Sequence, residues 1–229
     1  MKNKILTYIF LLIGAFSLGQ EIDLEKIKNN TQDKDSKYYY DKLVEEFMQS
    51  NQSLLADKEK LQNLYYGKLF SPYYKESSQM KSDYLKFMKL VGAKKIKKYL
   101  KAIELGENIL KKDPINLMVI MNLINSYTNT KDNEYRLKEL KSQSELLMSA
   151  IAASGDGTSK ETAFKVITLA DEITLLNYLG INMGKYNRNS KIINKYTVLD
   201  LWTKHNNYNE EHRDQIFIEV FNNGNKIKL

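Results

Sequence analysis

The chain contains no cysteine. That excludes disulfides, thiolate metal sites, cysteine nucleophiles, iron–sulfur clusters and a lipid anchor on an N-terminal cysteine. Two prolines and ten glycines in 229 residues, with 42% hydrophobic content, exclude a collagen-like or disordered chain. Arginine is scarce, occurring only at Arg136, Arg188 and Arg213, so the positive excess is almost all lysine. Arginine is the side chain that grips phosphate and guanine bidentately, which makes an arginine-poor chain a poor candidate for nucleic-acid binding. Beyond the first twenty residues there is no long apolar run, so no stable membrane insertion is expected of the remainder.

Those first twenty residues read as an export signal. Lys2 and Lys4 make a positive start, residues 5–13 are almost wholly apolar, and Ser17 and Gly19 have the small-residue spacing of a signal-peptidase site. Cleavage is expected after Gly19, or after Gln20. The apolar run is shorter than the ~20 residues a spanning helix needs, and a polar stretch follows at once. The mature chain is expected in the periplasm or outside the cell, not as a lipoprotein. Loss of Lys2 and Lys4 lowers the formal charge from +7 to +5. The densest basic run is Lys94-Lys95-Ile96-Lys97-Lys98. A solvated helix start accounts for it, and an anionic membrane or polysaccharide surface is the functional alternative.

Most of the mature chain has helical spacing. Tyr40, Leu43, Val44, Phe47 and Met48 predict an amphipathic helix over 36–49, with Ser36 as its cap. Asp57 is placed to cap a second helix, residues 67–79 look irregular, and 82–91 reads as a short helix ended by Gly92. Three longer helices follow over 94–112, 117–129 and 134–152, the first stopped by Asp113-Pro114. At Ser154 the pattern changes. Ser154-Gly155-Asp156-Gly157-Thr158-Ser159 predicts a turn, and Thr158 with Glu161 has capping-box spacing for a single helical turn. Strand-like alternation follows over 163–169, 196–202 and 215–221, with a helix over 171–179 between the first two. The fold expected is a single α+β domain over 20–229. It is helical over 22–153, with a small three-stranded antiparallel sheet within 154–229.

Two resemblances add to this reading. Residues 101–132 resemble the joint between two tetratricopeptide repeats, with Ala102, Pro114, Leu123 and Tyr127 at family positions. Ile124 and Gly106 depart from that pattern, and the match spans about one repeat where ~3 are needed for a free-standing array. The resemblance implies helix-pair packing of that type. The mature chain also resembles secreted proteins of Bacteroidetes-type bacteria grouped as domain-of-unknown-function family 4919. The residues carrying this are Leu64-Tyr65-Tyr66-Gly67, the stretch 102–116 with Pro114, Ser154-Gly155-Asp156-Gly157-Thr158-Ser159, Ala163-Phe164 and Asp171-Glu172. Ile173 stands where that pattern has an aromatic. The resemblance implies compartment and architecture but no activity, and assigns the motif positions Gly67, Pro114, Ser154, Gly155, Asp156, Gly157, Phe164, Asp171 and Glu172 a structural role.

His205 and His212 flank Glu210 and Glu211, but the spacing matches no zinc pattern and reads as an exposed hairpin loop. The segment Gly155–Ser159 has the glycines of an anion cradle but no Walker lysine, and a turn explains it. Tyr65, Tyr66, Tyr73 and Tyr74 form an aromatic segment fit either for packing or for gripping a partner or a sugar. Asn125 and Asn129, with Met121 and Thr128, share one helix face on which amides would hold an extended peptide. Adjacent carboxylates such as Asp171-Glu172 diverge by ~100° on a helix and make a poor shared site. No catalytic, cofactor or metal residues are assigned. The expected function is an exported, non-catalytic protein or peptide interaction module. An envelope hydrolase or a glycan-binding protein is the alternative.

Overall fold

The computed structural model describes residues 21–74, 80–194, 196–205 and 213–221. It is α+β and forms two compact units, one over Asp23–Ala150 and the other from Ile151 onward, with Glu21 and Ile22.

The helical unit contains α1 (Leu24–Gln32), α2 (Tyr40–Met48), α3 (Lys58–Gly67), α4 (Lys81–Gly92), α5 (Ile96–Lys112) and α6 (Leu117–Thr130). It closes with α7 (Glu134–Ala152), whose last two residues belong to the second unit. Caps set several starts. Asp23, Asp57 and Asn116 each accept a hydrogen bond from a backbone N–H in the first turn of α1, α3 and α6. The helix expected from Ser36 begins only at Tyr40, because the Ser36 hydroxyl accepts from the Tyr38 N–H at 3.0 Å and closes a turn instead. α2 then buries Tyr40, Leu43, Val44 and Phe47, one face at helical spacing.

Two glycines mark close approaches. A Cβ on Gly67 would lie 2.7 Å from Thr31 Cγ2 and 3.0 Å from the Tyr40 ring. One on Gly106 would lie 2.8 Å from both Leu123 and Phe87, where α5 packs against α6 and α4. The absent side chains let these helices approach more closely than an alanine would allow.

Beside Gly67, Lys68 is buried against Asp113, which ends α5. The Lys68 ammonium lies 2.7 Å from Asp113 Oδ1 and donates to Asp113 Oδ2 and the Ile115 carbonyl at 2.9 Å each. Tyr84 and Asn116 also donate to Asp113 Oδ2. One buried ion pair therefore joins the residue after the family-like segment 64–67 to the family-like segment 102–116.

The second unit is a four-stranded mixed sheet, not the expected three antiparallel strands. Its strands are β1 (Phe164–Val166), β2 (Tyr186–Asn194), β3 (Thr197–Lys204) and β4 (Gln215–Val220), in the order β1-β4-β3-β2. β3 and β4 are antiparallel as expected, with Leu201 opposite Phe217. β1 pairs with β4 in parallel, Phe164 opposite Ile218, because α8 (Leu169–Tyr178), β2 and β3 lie between them and supply the long crossover a parallel pair needs. β2 is the strand that periodicity does not reveal: only Tyr186 in it is buried. α8 starts on Thr168, whose hydroxyl accepts from the Asp171 N–H at 3.0 Å, and packs on β1 and β4.

The turn before β1 is built as its glycines suggest, without the expected helical turn. The Asp156 and Gly157 N–H groups donate to the Thr162 carbonyl at 3.0 and 2.7 Å. Asp156 Oδ1 accepts from the Thr158 N–H and from the Thr158 and Thr162 hydroxyls, so Thr158 is turned away from a capping role. Gly157 has φ +70° and faces the Phe164 ring, and a Cβ on Gly155 would overlap the Thr162 carbonyl oxygen. Gly155→Ala is expected to cost about 2 kcal/mol or more, since backbone rather than a movable side chain opposes it. Thermal melting checks this, and an unchanged midpoint would mean the turn rearranges freely.

Candidate functional site

In the second unit, charge is buried inside the sheet. On β3, period-two alternation puts Val198, Asp200 and Trp202 on one face. Across the ladder they face Val220, Ile218 and Ile216 of β4 on one side and Ile192, Ser190 and Arg188 of β2 on the other. Asp200 is fully buried, and so is Glu172, which α8 brings to the same place. Arg188 Nη2 donates to Asp200 Oδ2 at 2.7 Å and to Glu172 Oε2 at 2.9 Å. The Trp202 indole N–H donates to Glu172 Oε1 at 2.6 Å, and the Ser190 hydroxyl donates to Asp200 Oδ1. The Arg188 guanidinium also lies 5.8 Å from the Trp202 ring centre.

Two carboxyl groups share one guanidinium here in a desolvated place. Burial, and then the neighbouring Asp200 charge, push the Glu172 carboxyl up to about 7, against the opposing pull of the Trp202 hydrogen bond and Arg188. Glu172 therefore keeps its proton up to about pH 7. Neither carboxyl reaches solvent, so the cluster is suited to fastening β2 to β3 and α8 rather than to attacking a substrate.

What the cluster fastens is an edge. Among the described residues no strand pairs with the outer side of β2. Ile192 and Ile193 on it are 71% and 44% exposed. A nine-residue exposed edge presents a row of backbone donors and acceptors, the usual template for an added strand.

The residues singled out from sequence fall elsewhere or behave differently. Tyr65 and Tyr66 are fully buried and pack edge to face at 4.9 Å, so they are core residues and not a gripping surface. Tyr73 and Tyr74 are half-buried, and the Tyr73 ring centre is 6.1 Å from that of Tyr40. Asn125, Thr128 and Asn129 are exposed on α6 beside half-buried Met121. The Asn129 amide donates to the Asn125 carbonyl and side chain, and the Thr128 hydroxyl to the Ile124 carbonyl, so these groups bond within their own helix.

The glycine turn around Asp156 spends its backbone donors on Thr162, which leaves no cradle for an anion. His212, Glu210 and Glu211 lie outside the described residues; His205 Nε2 is 3.0 Å from Asn187 Oδ1. Among the described residues no three His, Asp or Glu side chains are placed to hold a metal. Of the family-motif positions, Glu172 is the one that enters this cluster: it shares Arg188 with Asp200. The missed signal was Asp200 itself, a carboxylate at an inward position of an otherwise apolar strand.

A family model described as "Domain of unknown function (DUF4919)" matches residues 25–219. No curated protein and no solved structure matches the chain.

Proposed function

This chain belongs to the DUF4919 family of domains of unknown function, and we propose that it acts there as an exported, non-catalytic interaction protein that binds an extended segment of a partner protein on β2. The observation that carries the reading is the nine-residue edge with two exposed isoleucines. The buried cluster supports it, because Arg188 and Ser190 hold β2 in place before a partner arrives. A pre-formed edge avoids the ordering cost a loose strand would incur on binding. Export rests on the charge and apolar pattern of residues 2–19.

Peptide display against the chain from Gln20 tests the proposal. Selected peptides are expected to bind as added strands, raising hydrogen-exchange protection along β2. Ile192→Asp with Ile193→Asp is expected to weaken them at least about tenfold while melting stays unchanged, as both side chains face water in the free protein. Peptides that bind this variant as well as the parent would sink the strand-addition reading.

A further inference from the structure

The positive charge of the chain is concentrated in one place. Residues 81–101 carry eight lysines against a single acid, Asp83, a formal +7 that equals the net charge of all 229 residues. This stretch is α4, the connection at 93–95 and the first turns of α5. Every residue from Gly92 to Lys98 is exposed, and Lys94 has a left-handed φ of +48°. Among the described residues, Lys94, Lys95, Lys97 and Lys98 enter no ion pair.

Large apolar side chains stand among these lysines. Ile96 and Leu100, one helical turn apart on α5, are 62% and 46% exposed, and Leu85 and Met88 on α4 are 64% and 40% exposed. The opposite face of α5 buries Tyr99, Ala102 and Ile103 in the helical unit. The start of α5 also lacks both devices of which the other starts use at least one. α2 and α4 have no side-chain cap either, but carry Asp41 and Asp83 in their first turns. α1, α3, α6 and α8 are capped by Asp23, Asp57, Asn116 and Thr168, whereas α5 begins on Lys95 with no side-chain cap and no acid in its first turn. Lysines at the positive end of a helix dipole cost stability. A local rule broken without compensation inside the fold marks a place where something outside supplies it.

We infer that the α4–α5 tip docks peripherally on an anionic lipid surface. The lysine ammonium groups lie against phosphate headgroups, and Ile96 and Leu100 enter the boundary layer beneath them. A basic helix with apolar residues on its exposed face has the composition of interfacial binding. A soluble polyanion would satisfy the lysines but gives the four apolar side chains nothing. A second copy would set +7 against +7. Nucleic acid is recognised chiefly by arginine, and the stretch has none. No described helix is long and apolar enough to cross a membrane.

Co-sedimentation of the chain from Gln20 with vesicles tests this. Binding is expected to vesicles containing phosphatidylglycerol, to be much weaker on phosphatidylcholine alone, and to fall with added salt. Lys95→Glu with Lys98→Glu is expected to lower partitioning at least about tenfold while raising the melting temperature, since acids suit a helix start. Ile96→Ser with Leu100→Ser is expected to lower it as well, at unchanged charge. Equal binding to both vesicle types overturns the inference. So does a serine variant that binds vesicles like the parent, or heparin captured as tightly as anionic vesicles with no dependence on Ile96 and Leu100, which would assign the patch to a soluble polyanion.

Discussion

Replacing Asp113 with alanine is expected to destabilise the helical unit by about 3–5 kcal/mol, the range for removing one partner of a buried ion pair. Lys68 and Asp113 are both buried, with side-chain exposures of 5% and 0%. The 2.7 Å approach of the ammonium to Oδ1 is a charge contact off the hydrogen-bond direction, while Oδ2 takes the hydrogen bonds from Lys68, Asn116 and Tyr84. Without the carboxylate, Lys68 keeps only the Ile115 carbonyl, and an ammonium is left in a dry place. Tyr84 and Asn116 lose an acceptor in the same step. Urea denaturation measures the loss. Lys68→Met with Asp113→Leu is expected to cost far less than Asp113→Ala alone, because no unpaired charge remains. A single-variant loss below about 1 kcal/mol would mean that water reaches the site and screens it.

The second large effect is one of pH. Glu172 has its folded-state carboxyl raised to about 7 from an ordinary value near 4.5, first by burial and then by Asp200. The folded protein therefore keeps a proton that the unfolded chain releases between those values. Stability from this proton is complete below about 4.5, declines as pH rises through about 7, and is flat above that. At about 1.4 kcal/mol per pH unit, the decline is on the order of 3 kcal/mol. The groups facing Glu172 are Arg188 from β2 and Asp200 and Trp202 from β3.

Trp202 is the chain's single tryptophan and donates directly to Glu172, so its fluorescence reports the titration without a label. A fluorescence midpoint near 7 is expected in the parent, with melting temperature falling over the same range. Glu172→Gln keeps a neutral group in hydrogen-bond reach and is expected to flatten both curves. Fluorescence and melting that do not change between about pH 5 and about pH 8 would show Glu172 ionised throughout, with Arg188 balancing its charge.

Much of the helical unit was legible because its information is local. Apolar spacing over 40–48 and 96–112 needs only the neighbouring turns to be read, and Asp57 and the Asp113-Pro114 stop act within a few residues of themselves. α1 escaped notice because it buries only Ile27 and Thr31, too few positions to establish a period. The antiparallel β3–β4 pair was legible from alternation and from the length of its connection. β2 was not, since an edge strand that buries little carries no hydrophobic signal of its own.

The site belongs to the part that local reading cannot reach. Asp171 and Glu172 are neighbours on a helix and diverge as helix geometry requires. Nothing near them in sequence points to Asp200, 28 residues on, or to Arg188 between them. The tyrosines at 65 and 66 show the same limit in reverse: aromatic density is visible in the sequence, but only packing decides that these two are buried. The sequence by itself determined the longer helices, the Asp57 cap and the Asp113-Pro114 stop, and that a turn with two glycines leads into a sheet. It also determined the lysine excess at 81–101, because charge and apolar spacing are properties of the chain. The tertiary structure decided that a polar segment would be the sheet's edge, that β1 would join β4 in parallel, and that Glu172, Arg188 and Asp200 would meet. Desolvation and pairing energies act between residues far apart in sequence, and they exist only once the strands are in register.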